Sequence, residues 1–162
     1  MFTRFSKTMD KPMASLHALA IFFVLADRWL KVWVLATKPV SANLTALTYS
    51  LNSGLAFSLP LGQPLILVIV GLIIMWLGRY YFKLRRARDW RSGLIFALLL
   101  GSLSNLVDRL LYGGVIDYLN FGSLTVFNLA DALIVFSLGL WLVRELLYGN
   151  RPPAAGSPQN KL

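Results

Sequence analysis

Four long apolar stretches constrain this chain more than any other feature. Within the stretch near Pro64–Phe82, the run Leu65–Leu77 (LILVIVGLIIMWL) contains no polar side chain. Comparable stretches lie near Leu16–Leu35, Trp90–Leu110 and Phe127–Leu147. Each is close to the ~20 helical residues that cross a bilayer core ~30 Å thick. The chain is 57% hydrophobic and 14% charged, whereas soluble globules carry about 25% charged residues. The pattern predicts an all-α membrane protein with four transmembrane helices. One domain is expected over residues 1–148, followed at 149–162 by a flexible cytoplasmic tail rich in Pro, Gly, Ala and Asn.

The net charge of +9 is distributed as membrane anchors rather than as a nucleic-acid surface. Arg4, Lys7 and Lys11 precede the first stretch; Arg79, Lys83, Arg85, Arg86, Arg88 and Arg91 cluster between the second and third. Basic clusters of this kind mark the cytoplasmic side. Both termini are then cytoplasmic, and the connections after the first and third spans face outward. Those connections read as β-like. Leu44–Leu51 suits a short strand, and Val115–Asn120 and Leu124–Phe127 flank Phe121-Gly122-Ser123, a hairpin connection. The first stretch carries Asp27, Arg28 and Lys31 with no small-residue cleavage site after it. It therefore reads as a retained helix, not a cleaved signal sequence.

The absence of cysteine and the single histidine, His17, exclude disulfides, a thiol nucleophile and a His-pair metal site. His17 reads as a polar flank of the first helix. Several tryptophans read as interfacial anchors, and Gly71, Gly93, Gly101 and Gly139 as close-packing positions.

Depth organises the remaining polar residues. Along an outward-running first helix, Asp27 and Lys31 lie about 16 and 22 Å from its start. Asn105, Asp108 and Arg109 lie about 20–25 Å along the third, and Asn128 and Asp131 within about 6 Å of the start of the fourth. Asp117 belongs to the outer connection. Four segments thus bring polar groups to one layer near the outer boundary. Ordinary structural pairing explains several of them. Asp27 and Lys31 stand four apart on one helical face, Arg109 has Asp108 or a loop carbonyl to bond, and Asn105 and Asn128 suit interhelical links. Asp117 and Asp131 have no cation four residues away. Two carboxylates held together in a low-dielectric place share a proton, which supplies an acid and a base for hydrolysis of an amide by water.

Five motifs follow in order: Asp27-Arg-Trp-Leu-Lys31, Asn52-Ser-Gly-Leu-Ala-Phe57, Asn105-Leu-Val-Asp-Arg109, Val115-Ile-Asp-Tyr118 and Phe127-Asn-Leu-Ala-Asp131. Together they resemble the lipoprotein signal peptidase (signal peptidase II) family over nearly the whole chain. The resemblance implies an aspartic endopeptidase of the bacterial cytoplasmic (inner) membrane. It would cut signal peptides from diacylglyceryl-modified prolipoproteins before the lipidated cysteine, with no metal or organic cofactor. By motif match, Asp117 and Asp131 would be the catalytic pair. Asn52, Asn105, Arg109 and Asn128 would bind substrate or orient the pair, with Asp27, Lys31 and Asp108 in support. A small extracytoplasmic β-cradle would accompany the four helices, the site would lie near the outer face, and the enzyme would act as a monomer among membrane lipids. The chain departs from the family pattern at Arg28, where Gln is usual, at Gly101-Ser-Leu-Ser104, where more glycine is usual, and at Tyr118, where Phe is commoner. The rival reading from the residues alone is a small proton-coupled transporter, whose signature is also intramembrane carboxylates. Against it, the acids lie near one face, and no broken or repeated helices appear. A membrane scaffold with aspartates as packing links is a third reading.

Overall fold

The computed structural model describes residues 3–38, 47–54, 62–120 and 126–148, with the side chains of 3–12 and 148 excepted. The elements are α1 (Thr3–Thr37), β1 (Leu47–Asn52), α2 (Gln63–Arg86), α3 (Arg91–Tyr112), β2 (Val115–Asn120), β3 (Val126–Phe127) and α4 (Leu129–Tyr148). Each predicted span coincides with a helix. However, α1 starts well before Leu16, and α4 starts two residues after Phe127, which pairs as the end of β3. By length and composition, α2 and α3 are apolar enough to cross a membrane, with mean hydropathies of 2.1 and 1.7.

The centre is α3, which packs against α1, α2 and α4. Its buried residues (Gly93, Leu94, Ala97, Leu98, Gly101, Ser104, Asn105 and Asp108 among them) include small side chains where neighbours approach closely. A Cβ at Gly93 would sit 2.7 Å from the Leu16 Cβ, and one at Gly101 only 2.8 Å from the Ala130 carbonyl oxygen. Gly71 and Gly139 do not share this role. A Cβ at either meets nothing within 4 Å, so the expectation of close packing fails there within this chain. Leu77, Leu84, Ile95 and Leu98 form one apolar core between α2 and α3.

Outward faces are apolar too. Phe22, Leu25 and Trp29 on α1, Val68 and Leu72 on α2, and Val135 and Phe136 on α4 are all more than half exposed. A helix in water turns such residues inward. Exposed apolar side chains on three helices suit lipid.

The ends of the helices are set locally. Pro64 sits in the first turn of α2, where its missing N–H costs nothing. The last turn of α2 carries Lys83, Arg85 and Arg86, which complement the negative end of its dipole. Gly113, at φ 75°, closes α3 in the left-handed conformation that glycine adopts freely.

The sheet has the order β1-β2-β3, both pairs antiparallel. Ser50 faces Asp117, Leu51 faces Ile116, and Leu119 faces Phe127. Ile116 and Tyr118 pack with Val34 of α1, seating the sheet on the end of that helix. The predicted strands at Leu44–Leu51 and Val115–Asn120 thus appear as β1 and β2. Residues 44–46, the Phe121-Gly122-Ser123 connection, Leu124 and the tail at 149–162 lie outside the described residues.

Candidate active site

The end of α1 nearest the sheet holds a buried ion network. Asp27, Lys31 and Asp108 are each 0% exposed, which demands that every charge find partners. Lys31, one turn after Asp27, places its ammonium 2.9 Å from Asp27 Oδ2 and 2.8 Å from Asp108 Oδ2. Its third bond goes to Asn105 Oδ1 at 3.0 Å. Asp27 also accepts from Ser104 Oγ at 2.7 Å, the Tyr118 hydroxyl at 2.9 Å and the Ala130 N–H at 3.2 Å. Asp108 also accepts from the Arg28 guanidinium and from the Ile116 N–H. Two carboxylates and two cations therefore balance, and donors surround both acids.

This network fixes the groups beside it. Because Lys31 takes the Asn105 carboxamide oxygen, the amide nitrogen must face away from it, and it donates to Asp131 Oδ1 at 2.6 Å. Tyr118 donates to Asp27 and accepts from the Leu129 N–H at 3.1 Å, so its ring ties β2 to the start of α4. Asp117 is the preceding residue on β2.

Asn128 caps α4. Its Oδ1 accepts from the Asp131 N–H at 2.8 Å, satisfying one of the orphan donors of the first turn. Its Nδ2 donates to Asp117 Oδ1 at 2.6 Å. From β1, Asn52 donates to Asp117 Oδ2 at 3.2 Å, while its own oxygen accepts from the Gly54 N–H at 3.1 Å. Arg109 donates to the Gly54 carbonyl at 3.2 Å and to the Asn105 carbonyl at 3.4 Å. Its buried Nε has no partner among the described residues. The expectation that Arg109 bonds Asp108 or a loop carbonyl resolves to the loop; Asp108 serves Lys31 and Arg28.

Asp117 is 2% exposed. Burial, and then the charge of Asp131, push its carboxyl up to about 6, against the pull of the Asn128 and Asn52 donors. Asp131 is half-buried and borders an apolar cavity of about 570 Å³ lined by Phe127, Ala132, Val135 and Phe136. Among the described residues its Oδ2 accepts no hydrogen bond, and no three side chains of a metal-holding type cluster.

All nine site candidates, Asp27, Lys31, Asn52, Asn105, Asp108, Arg109, Asp117, Asn128 and Asp131, thus belong to one connected set. The family model for signal peptidase (SPase) II matches residues 19–147. The chain belongs to the signal peptidase II family. Membership implies a peptidase. A protein named lipoprotein signal peptidase from Clostridioides difficile (strain 630) is 35% identical over 129 residues, covering 74% of this chain and 87% of the relative. Its namesake from Desulfitobacterium hafniense (strain DSM 10664 / DCB-2) is 39% identical over 131 residues, covering 75% and 85%. Two solved bacterial membrane enzymes share the fold. One has a TM-score of 0.72 at 23% identity, covering 89% of this chain and 94% of its own; the other has 0.65 at 25%, covering 85% and 95%.

Three residues outside the candidate set join the network in this signal peptidase II family member: Arg28, Ser104 and Tyr118. Arg28 bonds Asp108 and both the carbonyl and the hydroxyl of Ser104; Ser104 and Tyr118 both bond Asp27. Their common destination is the signal that finds them.

Proposed function

We propose that this signal peptidase II family member is an aspartic endopeptidase of the bacterial cytoplasmic membrane. Its substrates are diacylglyceryl-modified prolipoproteins, cut before the lipidated cysteine. The observation that carries the reading is Asn128, whose side chain holds Asp117 through its nitrogen and the backbone of Asp131 through its oxygen. The relatives named lipoprotein signal peptidases support the substrate class. All four helices span the bilayer with both termini cytoplasmic. The basic end of α2 lies inward, and the aspartates lie near the outer face.

In this mechanism the pair shares one proton. Asp131, with one oxygen open to the cavity, takes a proton from water as that water attacks the scissile carbonyl. Asp117, whose second neighbour is that charge, keeps its proton and donates a hydrogen bond to the carbonyl oxygen. Arg109 Nε, a buried donor without a partner among the described residues, is placed to bind a substrate carbonyl. The apolar cavity beside Asp131 suits the apolar residues that precede the cut.

The test is cleavage of a lipidated prolipoprotein and its unlipidated form by wild type, Asp117→Asn and Asp131→Asn. Wild type should cut the lipidated form alone, and each variant should lose at least about 10²–10⁴-fold in rate, the range for a positioned acid or base. Full activity in either single variant refutes the mechanism.

A further inference from the structure

At the opposite end of the helices lies a cavity of about 530 Å³ lined by Met13, Ala14, His17, Arg85 and Arg88. The sheet residues flanking Asp117 pack on Val34, which follows His17 by seventeen residues, about 26 Å of helix, so this cavity and Asp117 lie toward opposite membrane faces. We propose that it binds the headgroup phosphate of an anionic phospholipid of the inner leaflet, held by Arg85 and Arg88. The inference rests on the reading that the helices span the bilayer.

Three observations carry it. The first is charge. Both arginines are exposed, and neither pairs with a carboxylate among the described residues. The acids described at this end are occupied, since Asp89 and Glu145 both face Arg91, and Arg144 lies over the Trp90 ring. His17 is occupied as well: Nδ1 bonds the Met13 carbonyl at 2.6 Å, and Nε2 pairs with the Tyr81 hydroxyl at 3.2 Å. Among the described residues, the unpaired charge of the cavity is that of its two arginines.

The second is backbone strain. The Arg88 N–H bonds the Arg85 carbonyl, and the Asp89 N–H bonds the Leu84 carbonyl at 3.0 Å, the helix-ending motif that places its left-handed residue at Arg88. The φ there is 52°, a conformation glycine adopts without cost and arginine does not. An arginine that lines the cavity from a glycine's position points to a role for its side chain. The third is setting. Basic pockets between spanning helices on the cytoplasmic side take lipid phosphates, and the apolar faces of α1 and α2 leave the acyl chains in lipid.

The experiment uses the full chain in phosphatidylcholine nanodiscs, titrated with labelled phosphatidylglycerol. Wild type, Arg88→Gly and the Arg85→Ala/Arg88→Gly pair are compared. Phosphatidylglycerol should bind wild type in preference to phosphatidylcholine. Binding should weaken about fivefold for each arginine removed, the scale of one basic side chain at an anionic surface. In phosphatidylcholine alone, Arg88→Gly should unfold no earlier than wild type, because glycine suits the left-handed site. Undiminished binding by the double variant overturns the proposal, as does a lowered unfolding temperature for Arg88→Gly. Equal displacement by inorganic phosphate at matched concentration overturns the lipid assignment in favour of a soluble anion. Failure of wild type to remain in carbonate-washed membranes refutes the spanning reading itself, separately from the arginines.

Discussion

Asn52 offers the cleanest electrical handle on the aspartate pair. Its Nδ2 lies 3.2 Å from Asp117 Oδ2, at the long end of the N–H···O range, so the bond belongs at the weak end of those made to charged groups, about 1.5 kcal/mol. Since 1.36 kcal/mol corresponds to one pKa unit, Asn52→Ala should raise the Asp117 pKa by about one unit. The starting value is about 6, with the Asp131 charge among its causes. It therefore describes Asp117 beside an ionised Asp131, the loss of the pair's second proton. In a bell-shaped profile of kcat/KM for free enzyme that step forms the alkaline limb.

The assay is cleavage of a soluble lipidated peptide across pH 4–9 in one detergent. Wild type should lose activity above about pH 6, and Asn52→Ala should keep its lower plateau to about pH 7. The plateau itself falls, because Asn52 also orders Gly54, which holds Arg109. A purely structural loss lowers the plateau and leaves the limb in place. An unmoved limb, or one shifted to lower pH, would refute the argument. Asn128 makes the shorter bond but also caps α4, so its removal would mix electrostatics with unwinding.

Three further outcomes follow from the same contacts. Asp117→Asn should stabilise the protein at pH 8 relative to wild type, but not at pH 4. A folded pKa raised from 3.8 to about 6 means that stability present below about pH 4 is lost as pH rises through 6, a loss of up to about 3 kcal/mol, read by thermal unfolding at both pH values. Lys31→Met leaves Asp27 and Asp108 buried without their shared cation and should cost about 3–5 kcal/mol, seen as a lowered unfolding midpoint. Gly101→Ala should destabilise by about 1–3 kcal/mol through its collision with the Ala130 carbonyl. Gly139→Ala, which meets nothing, should be neutral or stabilising by up to about 1 kcal/mol; unfolding midpoints in one detergent compare the two.

The helices were legible because apolar length is a one-dimensional property, and so was the convergence of the polar residues, because rise per residue gives their heights along the helices. Asp27 and Lys31 were legible as a pair because a helix brings i and i+4 together. Contacts between segments were not. Nothing along the chain says that the Lys31 ammonium turns the Asn105 amide toward Asp131, or that Arg109 reaches back to Gly54. Nor does apolar periodicity show that β3 ends at Phe127, leaving Asn128 to cap the helix. Gly93 and Gly101 were distinguishable from Gly71 and Gly139 only once their neighbours were placed.

The least expected feature is where the positive charge goes. Lys31 lies in the same connected set as the aspartate pair, yet its ammonium contacts Asp27 and Asp108, and the Arg28 guanidinium also goes to Asp108. Two anions and two cations cancel within that network. A glutamine at position 28 would leave it one charge negative, and Lys31 alone would have to serve both carboxylates. With Arg28 present, Asp108 is held from two sides, while the Lys31 ammonium reaches Asp27, Asp108 and the Asn105 oxygen together. Among the described residues, the carboxylates of the aspartate pair receive their hydrogen bonds from neutral asparagine amides, not from a contacting cation. Neutral donors restrain a buried carboxyl less than a contacting charge does. Asp117 is raised by its burial and by the charge of Asp131, and the cations that could oppose this by direct contact, Lys31 and Arg28, are held by Asp27 and Asp108 instead.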